Sequence, residues 1–254
     1  MDGADNKERE AGRSSAADKR KKRGWVAAGI LLLVILLIVY VRLYFYYPAD
    51  GAAKAALVSD EVKVSQTSYG WFFDGPSEDT AMIFYPGAGV EETAYAPLLH
   101  ALAAEGMDIC LVGAPMQLAF LNPHAVDRIL NEIDHPVIYY GGHSLGGSII
   151  AFCSDHSDGR LKGLIMLASY PAKALPAGLD ELVIVGSEDG IIDRKRLDRS
   201  RVYVSGSYTE EVIEGGNHAQ FGSYGKQHGD GTALISQDEQ ISRTIGIIRE
   251  HCLQ

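Results

Sequence analysis

Cysteine and basic residues are both scarce in this chain of 254 residues. It has three cysteines, which excludes a scaffold in which every cysteine is paired. No Cys/His spacing is typical of a metal site, so we expect no metal and no cofactor. With 23 Lys/Arg against 33 Asp/Glu the net charge is −10. This balance argues against nucleic acid and anionic lipid headgroups as partners.

The charge and the apolar residues are unevenly distributed along the chain. Trp25 to Val41 is an uncharged run of 17 residues, and five basic residues, Lys19 to Arg23, come directly before it. A helix that continues past Arg42 to Tyr47 reaches about 35 Å, enough to span a bilayer. The positive-inside rule places the basic cluster in the cytoplasm and the rest of the chain outside the cell. The alternative is a cleaved secretory signal, since Ala53-Lys54-Ala55 fits a processing site.

These features divide the chain into four parts. We expect a disordered cytoplasmic tail over residues 1–23, because this polar stretch has no apolar period. A transmembrane signal-anchor helix over 24–47 and a linker over 48–60 follow. Residues 61–254 then alternate apolar strands with helical patterns, which predicts an α/β domain with a mainly parallel sheet flanked by helices.

A serine motif stands at one junction between a strand and a helix. The segment Gly142-His143-Ser144-Leu145-Gly146 follows the apolar strand Pro136–Tyr140 and opens into the helical pattern that begins near Ser148. A G-x-S-x-G at such a junction is typical of a nucleophile elbow, in which a tight turn presents the serine hydroxyl. Only small residues fit two positions before and after that serine.

Two further strands end in residues that complement a serine nucleophile. The strand Leu182–Ser187 ends in Glu188-Asp189, and the strand Glu211–Glu214 leads through Gly215-Gly216 to Asn217-His218. Serine, acid and histidine in this order, each just past a strand, match the chain order of an α/β-hydrolase triad.

With these motifs the chain resembles the α/β-hydrolases over about residues 60–254. It is similar in particular to small, often membrane-tethered bacterial members with an Asn-His-Ala-Gln-Phe-Gly histidine loop, here Asn217 to Gly222. The resemblance implies an α/β-hydrolase fold and names no substrate. The connection from Ser169 to Glu181 is too short for the cap domain that many relatives insert there.

The resemblance also implies roles for single residues. Ser144 is the expected nucleophile and His218 the base that accepts its proton. Asp189 is the expected acid that orients His218, with Glu188 as its rival. His143 and His228 are the alternatives to His218, and Asp193 is expected to start a helix instead.

Two backbone amides are the expected oxyanion hole. One is that of Leu145, the residue after the nucleophile. The other lies in the loop Pro86–Val90 after the strand Ala81–Tyr85, where position matching to the family favours Ala88.

The sequence therefore predicts a membrane-anchored, extracytoplasmic serine hydrolase of carboxylesterase type. Its substrate would be a small or lipid-like ester, thioester or related acyl compound. An acyltransferase on the same fold, or a non-catalytic envelope binding protein, are the alternatives. The sequence leaves the oligomeric state open.

Overall fold

The computed structural model describes residues 2–58 and 60–253, with side chains from residue 20 onwards except that of residue 41. It consists of a long N-terminal helix, α1 (Asp2–Phe45), and a folded domain that begins at Tyr46. Residues Arg20–Phe45 of α1 are long and apolar enough to cross a membrane, with a mean hydropathy of 2.8 over their most apolar 18 residues.

The structure differs from the sequence prediction at the start of the chain. Residues 1–23 were expected to be disordered, but α1 extends back to Asp2. Alanine, glutamate, lysine and arginine, which are frequent here, are strong helix formers. A segment that continues an existing helix also needs no new nucleation.

Within the described residues, eight strands form one sheet in the order β1-β2-β4-β3-β5-β6-β7-β8. They are β1 (Lys63–Gln66), β2 (Gly70–Asp74), β3 (Thr80–Tyr85), β4 (Met107–Val112), β5 (Val137–His143), β6 (Leu161–Leu167), β7 (Asp180–Gly186) and β8 (Tyr208–Ile213). The pairs β1–β2 and β2–β4 are antiparallel, and all others are parallel. The predicted α/β fold with a mainly parallel sheet is confirmed.

Helices cover both faces of this sheet. They are α2 (Gly51–Ala56), α3 (Ala96–Ala104), α4 (Ala125–Glu132), α5 (Leu145–Cys153), α6 (Arg194–Ser200) and α7 (Gln237–Cys252). One apolar core joins the sheet to α2, α3 and α7, and a second joins it to α4, α5 and α6. Alternate residues of β3 enter the two cores, with Met82 in the first and Ile83 in the second. Strands buried on both faces explain the continuous apolar runs of the sequence.

The predicted linker over 48–60 is also different in the structure. Asp50 accepts hydrogen bonds from the amides of Ala52 and Ala53 and so caps α2. Ala53 is completely buried in the core. The small alanines of this segment allow it to pack closely against the domain, so it is part of the domain.

Helix α7 was not predicted from the sequence. Ser236 caps it by accepting a hydrogen bond from the amide of Glu239, which the pattern Ser-x-x-Glu signals. Its buried face includes Gln240 and Thr244 beside Ile241 and Ile248. Because two of these four side chains are polar, the apolar period of the helix is broken and hard to recognise.

The connection between β6 and β7 is short, as expected. Residues 168–179, all of which the structure describes, contain no helix or strand. This connection therefore places no cap domain over the carboxyl ends of the parallel strands, where this class of sheet binds ligands.

Candidate active site

Ser144 occupies a strained turn between β5 and α5. Its backbone has φ 53° and ψ −120°, a conformation that residues other than glycine rarely adopt. A Cβ atom on Gly142 would lie 2.6 Å from the carbonyl carbon of Gly146, and one on Gly146 would lie 2.2 Å from the carbonyl oxygen of Tyr85. The predicted need for small residues on both sides of Ser144 is thus confirmed.

Asp189 and His218 lie together at the same edge of the sheet. The loop after β7 carries Asp189, and the loop after β8 carries His218. Oδ2 of Asp189 is 2.8 Å from Nδ1 of His218, and both side chains are almost completely buried. The other carboxylate oxygen accepts hydrogen bonds from the amides of Ile191 and Ile192. The carboxylate is therefore held in one orientation.

The environment of Asp189 favours its ionised form. Burial by itself raises the pKa of this carboxyl group, but the hydrogen bond and charge of His218 and the two backbone amides outweigh it, and the pKa is lowered. The rival acid Glu188 accepts a hydrogen bond from the Ser187 hydroxyl and makes none with His218.

The second ring nitrogen of His218 makes no hydrogen bond within the described part of the chain. This Nε2 atom is buried. With Nδ1 bonded to a carboxylate, Nε2 is the nitrogen that is free to accept a proton. The alternative base, His228, is exposed, and its backbone amide donates to the hydroxyl of Tyr47.

His143, the residue before Ser144, packs against His218. Their ring centroids are 4.6 Å apart, and Nε2 of His143 is 3.1 Å from the carbonyl oxygen of His218. Nδ1 of His143 is 2.7 Å from the hydroxyl of Tyr95, which also accepts a hydrogen bond from the amide of Gly87. A carbonyl only accepts, so Nε2 carries the proton and Nδ1 accepts from Tyr95.

Burial keeps His143 neutral, although its hydrogen bond to the carbonyl of His218 by itself raises the pKa of the ring. Complete burial, with the neighbouring His218, holds the pKa of His143 well below its usual value. His143 is therefore a structural link between the loop of Gly87 and the backbone of His218. From the sequence, His143 was expected only as an alternative base, and Tyr95 was not predicted.

The loop after β3 contains the other predicted amide donor. The amide of Gly87 donates to Tyr95, and the amide of Gly89 donates to the carbonyl of Gln117. Between them, Ala88 is exposed, and its amide has no acceptor among the described residues. Leu145 is the first residue of α5, where backbone amides have no partner inside the helix. Both amides are thus available to an oxyanion.

Two further residues that the sequence analysis missed hold the histidine loop. The Asp230 carboxylate accepts hydrogen bonds from the amides of Gly190, His218 and Ala219, and so connects the loop of Asp189 to that of His218. The buried Gln240 bonds both the amide and the carbonyl of Asn217. The turn Gly229-Asp230-Gly231 is the one local signal for either residue.

The remaining predicted residues lie outside this site. Asp193 caps α6 by accepting from the amide of Arg196, as expected. Cys110 and Cys153 are buried in the apolar core. Among the residues that the structure describes, no group of three or more His, Cys, Asp or Glu side chains is placed to hold a metal ion.

The fold and these motifs agree with comparisons to known proteins. Residues 81–242 match the alpha/beta hydrolase family, and the chain belongs to it. No curated protein matches the sequence.

Several solved structures share the fold at low identity. Dienelactone hydrolase from Anabaena variabilis is 12% identical with a TM-score of 0.57, covering 75% of this chain and 98% of that chain. The type II thioesterase BorB from the borrelidin biosynthetic cluster is 15% identical with a TM-score of 0.53, covering 76% and 98%. Est1E from Butyrivibrio proteoclasticus is 13% identical with a TM-score of 0.52, covering 76% and 99%. These identities establish a shared fold alone.

Proposed function

We propose that this protein is a membrane-anchored, extracytoplasmic serine hydrolase that cleaves an ester, a thioester or a related acyl bond. The observation that carries the proposal is the buried Asp189–His218 pair beside the strained turn at Ser144. The names of the similar folds, among them a thioesterase, are compatible with acyl chemistry.

The reaction follows from the roles of these residues. Ser144 attacks the acyl carbon while Nε2 of His218 takes its proton, and Asp189 stabilises the imidazolium that forms. The amides of Leu145 and Ala88 donate to the oxyanion. His218 then protonates the leaving alcohol or thiol, which departs and leaves an ester on Ser144. Water, deprotonated by His218, releases the carboxylic acid and restores Ser144.

The N-terminal segment supports a retained anchor over a cleaved signal. Cleavage after Ala55 would remove Ala53, which is completely buried in the domain core. It would also remove Tyr47, whose amide donates to the carbonyl of Gly89 next to Ala88. The lost contacts would expose apolar core and free the loop of the oxyanion hole.

The test is covalent labelling of the full-length protein by a fluorophosphonate probe, together with hydrolysis of short-chain esters. We expect labelling and turnover in the wild type and neither in Ser144→Ala. His218→Ala should abolish turnover almost as completely, because a serine and its base act as one unit. His228→Ala is the matched control and should retain activity. Labelling that persists in Ser144→Ala would exclude this serine as the nucleophile.

A further inference from the structure

Next to Ala88, hydrogen bonds join three chain segments side by side: those of Tyr47, Gly89 and Gln117. The amide of Tyr47 donates to the carbonyl of Gly89 at 2.9 Å, and the amide of Gly89 donates to the carbonyl of Gln117 at 2.8 Å. Glu91 of the same loop accepts from the hydroxyl of Tyr46 and the amide of Ala49. The segment that begins at Tyr46 is thus fastened along the loop that carries Ala88.

The chain leaves almost no free length between this segment and α1. Helix α1 ends at Phe45, two positions before Tyr47. Two extended residues cover about 7 Å. If α1 is anchored in a bilayer, the chain from Phe45 to Tyr47 can therefore carry Tyr47 no farther than about this distance from the end of the anchor.

The segment that contains Gln117 exposes large apolar side chains. In the connection between β4 and α4, Met116 is 56%, Phe120 49% and Leu121 45% exposed. The surrounding residues 113–123 contain no charged side chain. Met116 and Gln117 both have positive φ, at 56° and 55°. Strain of this kind is concentrated at functional sites.

Exposed apolar side chains that lie close in sequence on a strained, uncharged loop indicate an interaction surface. We propose that Met116, Phe120 and Leu121, the apolar rim, insert into the bilayer surface beside the active site. Substrate then reaches Ser144 from the membrane, and its class is an ester or thioester of a long acyl chain embedded in the bilayer. The substrate class rests on the proposed function.

The bilayer is favoured over other occupants of the apolar rim by the short tether. A surface linked to the membrane by so few residues meets it at a high effective concentration. Residues 43–254 carry 14 Lys/Arg against 28 Asp/Glu. The contact with lipid is thus apolar, and a phosphatidylcholine bilayer suffices for it.

The first test measures the depth of the apolar rim in lipid. Full-length protein with Phe120→Trp, in a Trp25→Phe background, is reconstituted in vesicles of brominated-chain phosphatidylcholine. The fluorescence that the Phe120→Trp substitution contributes should be roughly half of that in vesicles without bromine, because interfacial apolar side chains reach the acyl region. The matched control is Val202→Trp, at a position 82% exposed that precedes the amino end of β8. It should show no quenching.

The second test measures substrate entry. For each protein we compare turnover of a long-chain ester dissolved in the bilayer with that of a short-chain soluble ester. In Phe120→Ser/Leu121→Ser the ratio should fall about tenfold, since each lost apolar contact weakens membrane docking. The control Val202→Ser/Val212→Ser should keep the wild-type ratio.

The outcomes separate this inference from the proposed function. Absent quenching at position 120, with the short-chain ester still hydrolysed, overturns the apolar rim and leaves the hydrolase intact. Absent short-chain hydrolysis in the wild type overturns the hydrolase, while quenching still reports on the rim. A rim variant that converts a dimer into a monomer without any quenching assigns the surface to a second copy of the chain and overturns the inference.

Discussion

The hydroxyl of Tyr95 lies 2.7 Å from Nδ1 of His143 and connects the loop of Gly87 to the residue before Ser144. Tyr95 is completely buried on the connection between β3 and α3. Because His143 in turn donates to the carbonyl of His218, a single phenol helps to fix both the loop of Gly87 and the backbone of the proposed base.

We predict that Tyr95→Phe lowers both stability and turnover. The substitution leaves the amide of Gly87 and Nδ1 of His143 buried without a partner, at a cost of about 1–3 kcal/mol for each group. Thermal unfolding and kcat for a short-chain ester measure the two effects. The matched control is Tyr140→Phe, because the buried hydroxyl of Tyr140 makes no hydrogen bond in the described structure. Equal losses in both variants would contradict a specific role for the Tyr95 hydroxyl.

We predict that Asp189→Asn lowers kcat by a factor on the order of 10⁴, because an amide favours the wrong tautomer of the histidine. The carboxamide oxygen can still accept from the amides of Ile191 and Ile192, so the loop should keep its fold. Glu188→Gln is the adjacent control and should change kcat little, since the Glu188 carboxylate accepts a hydrogen bond from the Ser187 hydroxyl and makes none with His218. The reverse ranking in paired kinetics would reassign the acid.

Glu181 gives a prediction about pH. Burial, followed by the charge of Glu210, raises the pKa of Glu181 from 4.5 to about 8. Between these values the unfolded chain ionises while the folded domain keeps the proton. The contribution of this residue to stability is therefore fully present at low pH and is lost as the pH rises towards 8.

Glu181→Gln should remove this dependence. The unfolding temperature of the variant minus that of the wild type should be larger at pH 8 than at pH 5. Both temperatures are measured by intrinsic fluorescence in detergent. The control Glu214→Gln changes an exposed carboxyl group and should shift both temperatures equally. A difference between variant and wild type that does not vary with pH would show that Glu181 is ionised in the folded protein.

The topology of the protein gives a separate prediction. The basic cluster Lys19–Arg23 before the apolar part of α1 should keep the N-terminus in the cytoplasm and the domain outside. The full-length chain should stay with membranes after a high-salt wash, and protease added to intact, wall-stripped cells should degrade the domain. A cytoplasmic marker protein is the control. A mature N-terminus near Ala56, or a domain protected until lysis, would contradict the anchored topology.

The parts of the site that are encoded locally were predictable from the sequence. The turn at Ser144 requires glycines at fixed positions, so Gly142 and Gly146 identify it without knowledge of the fold. Asp189 and His218 each follow an apolar strand, and parallel strands bring their carboxyl ends to one edge. Their hydrogen bond therefore agrees with the pairing expected from the order of strands.

Other residues depend on partners far along the chain, and their types gave no local signal. Nothing in the sequence distinguishes Tyr95 from the other aromatic residues, and only the structure shows its hydroxyl next to His143. The sequence shows Gln240 only as a polar residue, and its hydrogen bond to the backbone of Asn217 is visible only in the structure. Because this polar residue is buried, it also interrupts the apolar period by which α7 could have been predicted.

From the amino-acid sequence alone we could predict the class of fold, the turn at Ser144 and the chain order of Ser144, Asp189 and His218, because each follows from short-range sterics or from the alternation of strands and helices. The tertiary structure decided which acid contacts His218, which tautomer His143 adopts and which loop amide is left for an oxyanion. It also placed Tyr47 against the loop of Ala88. Each of these outcomes depends on differences of a few ångströms in the positions of neighbouring groups, and only the packed chain fixes distances of that size.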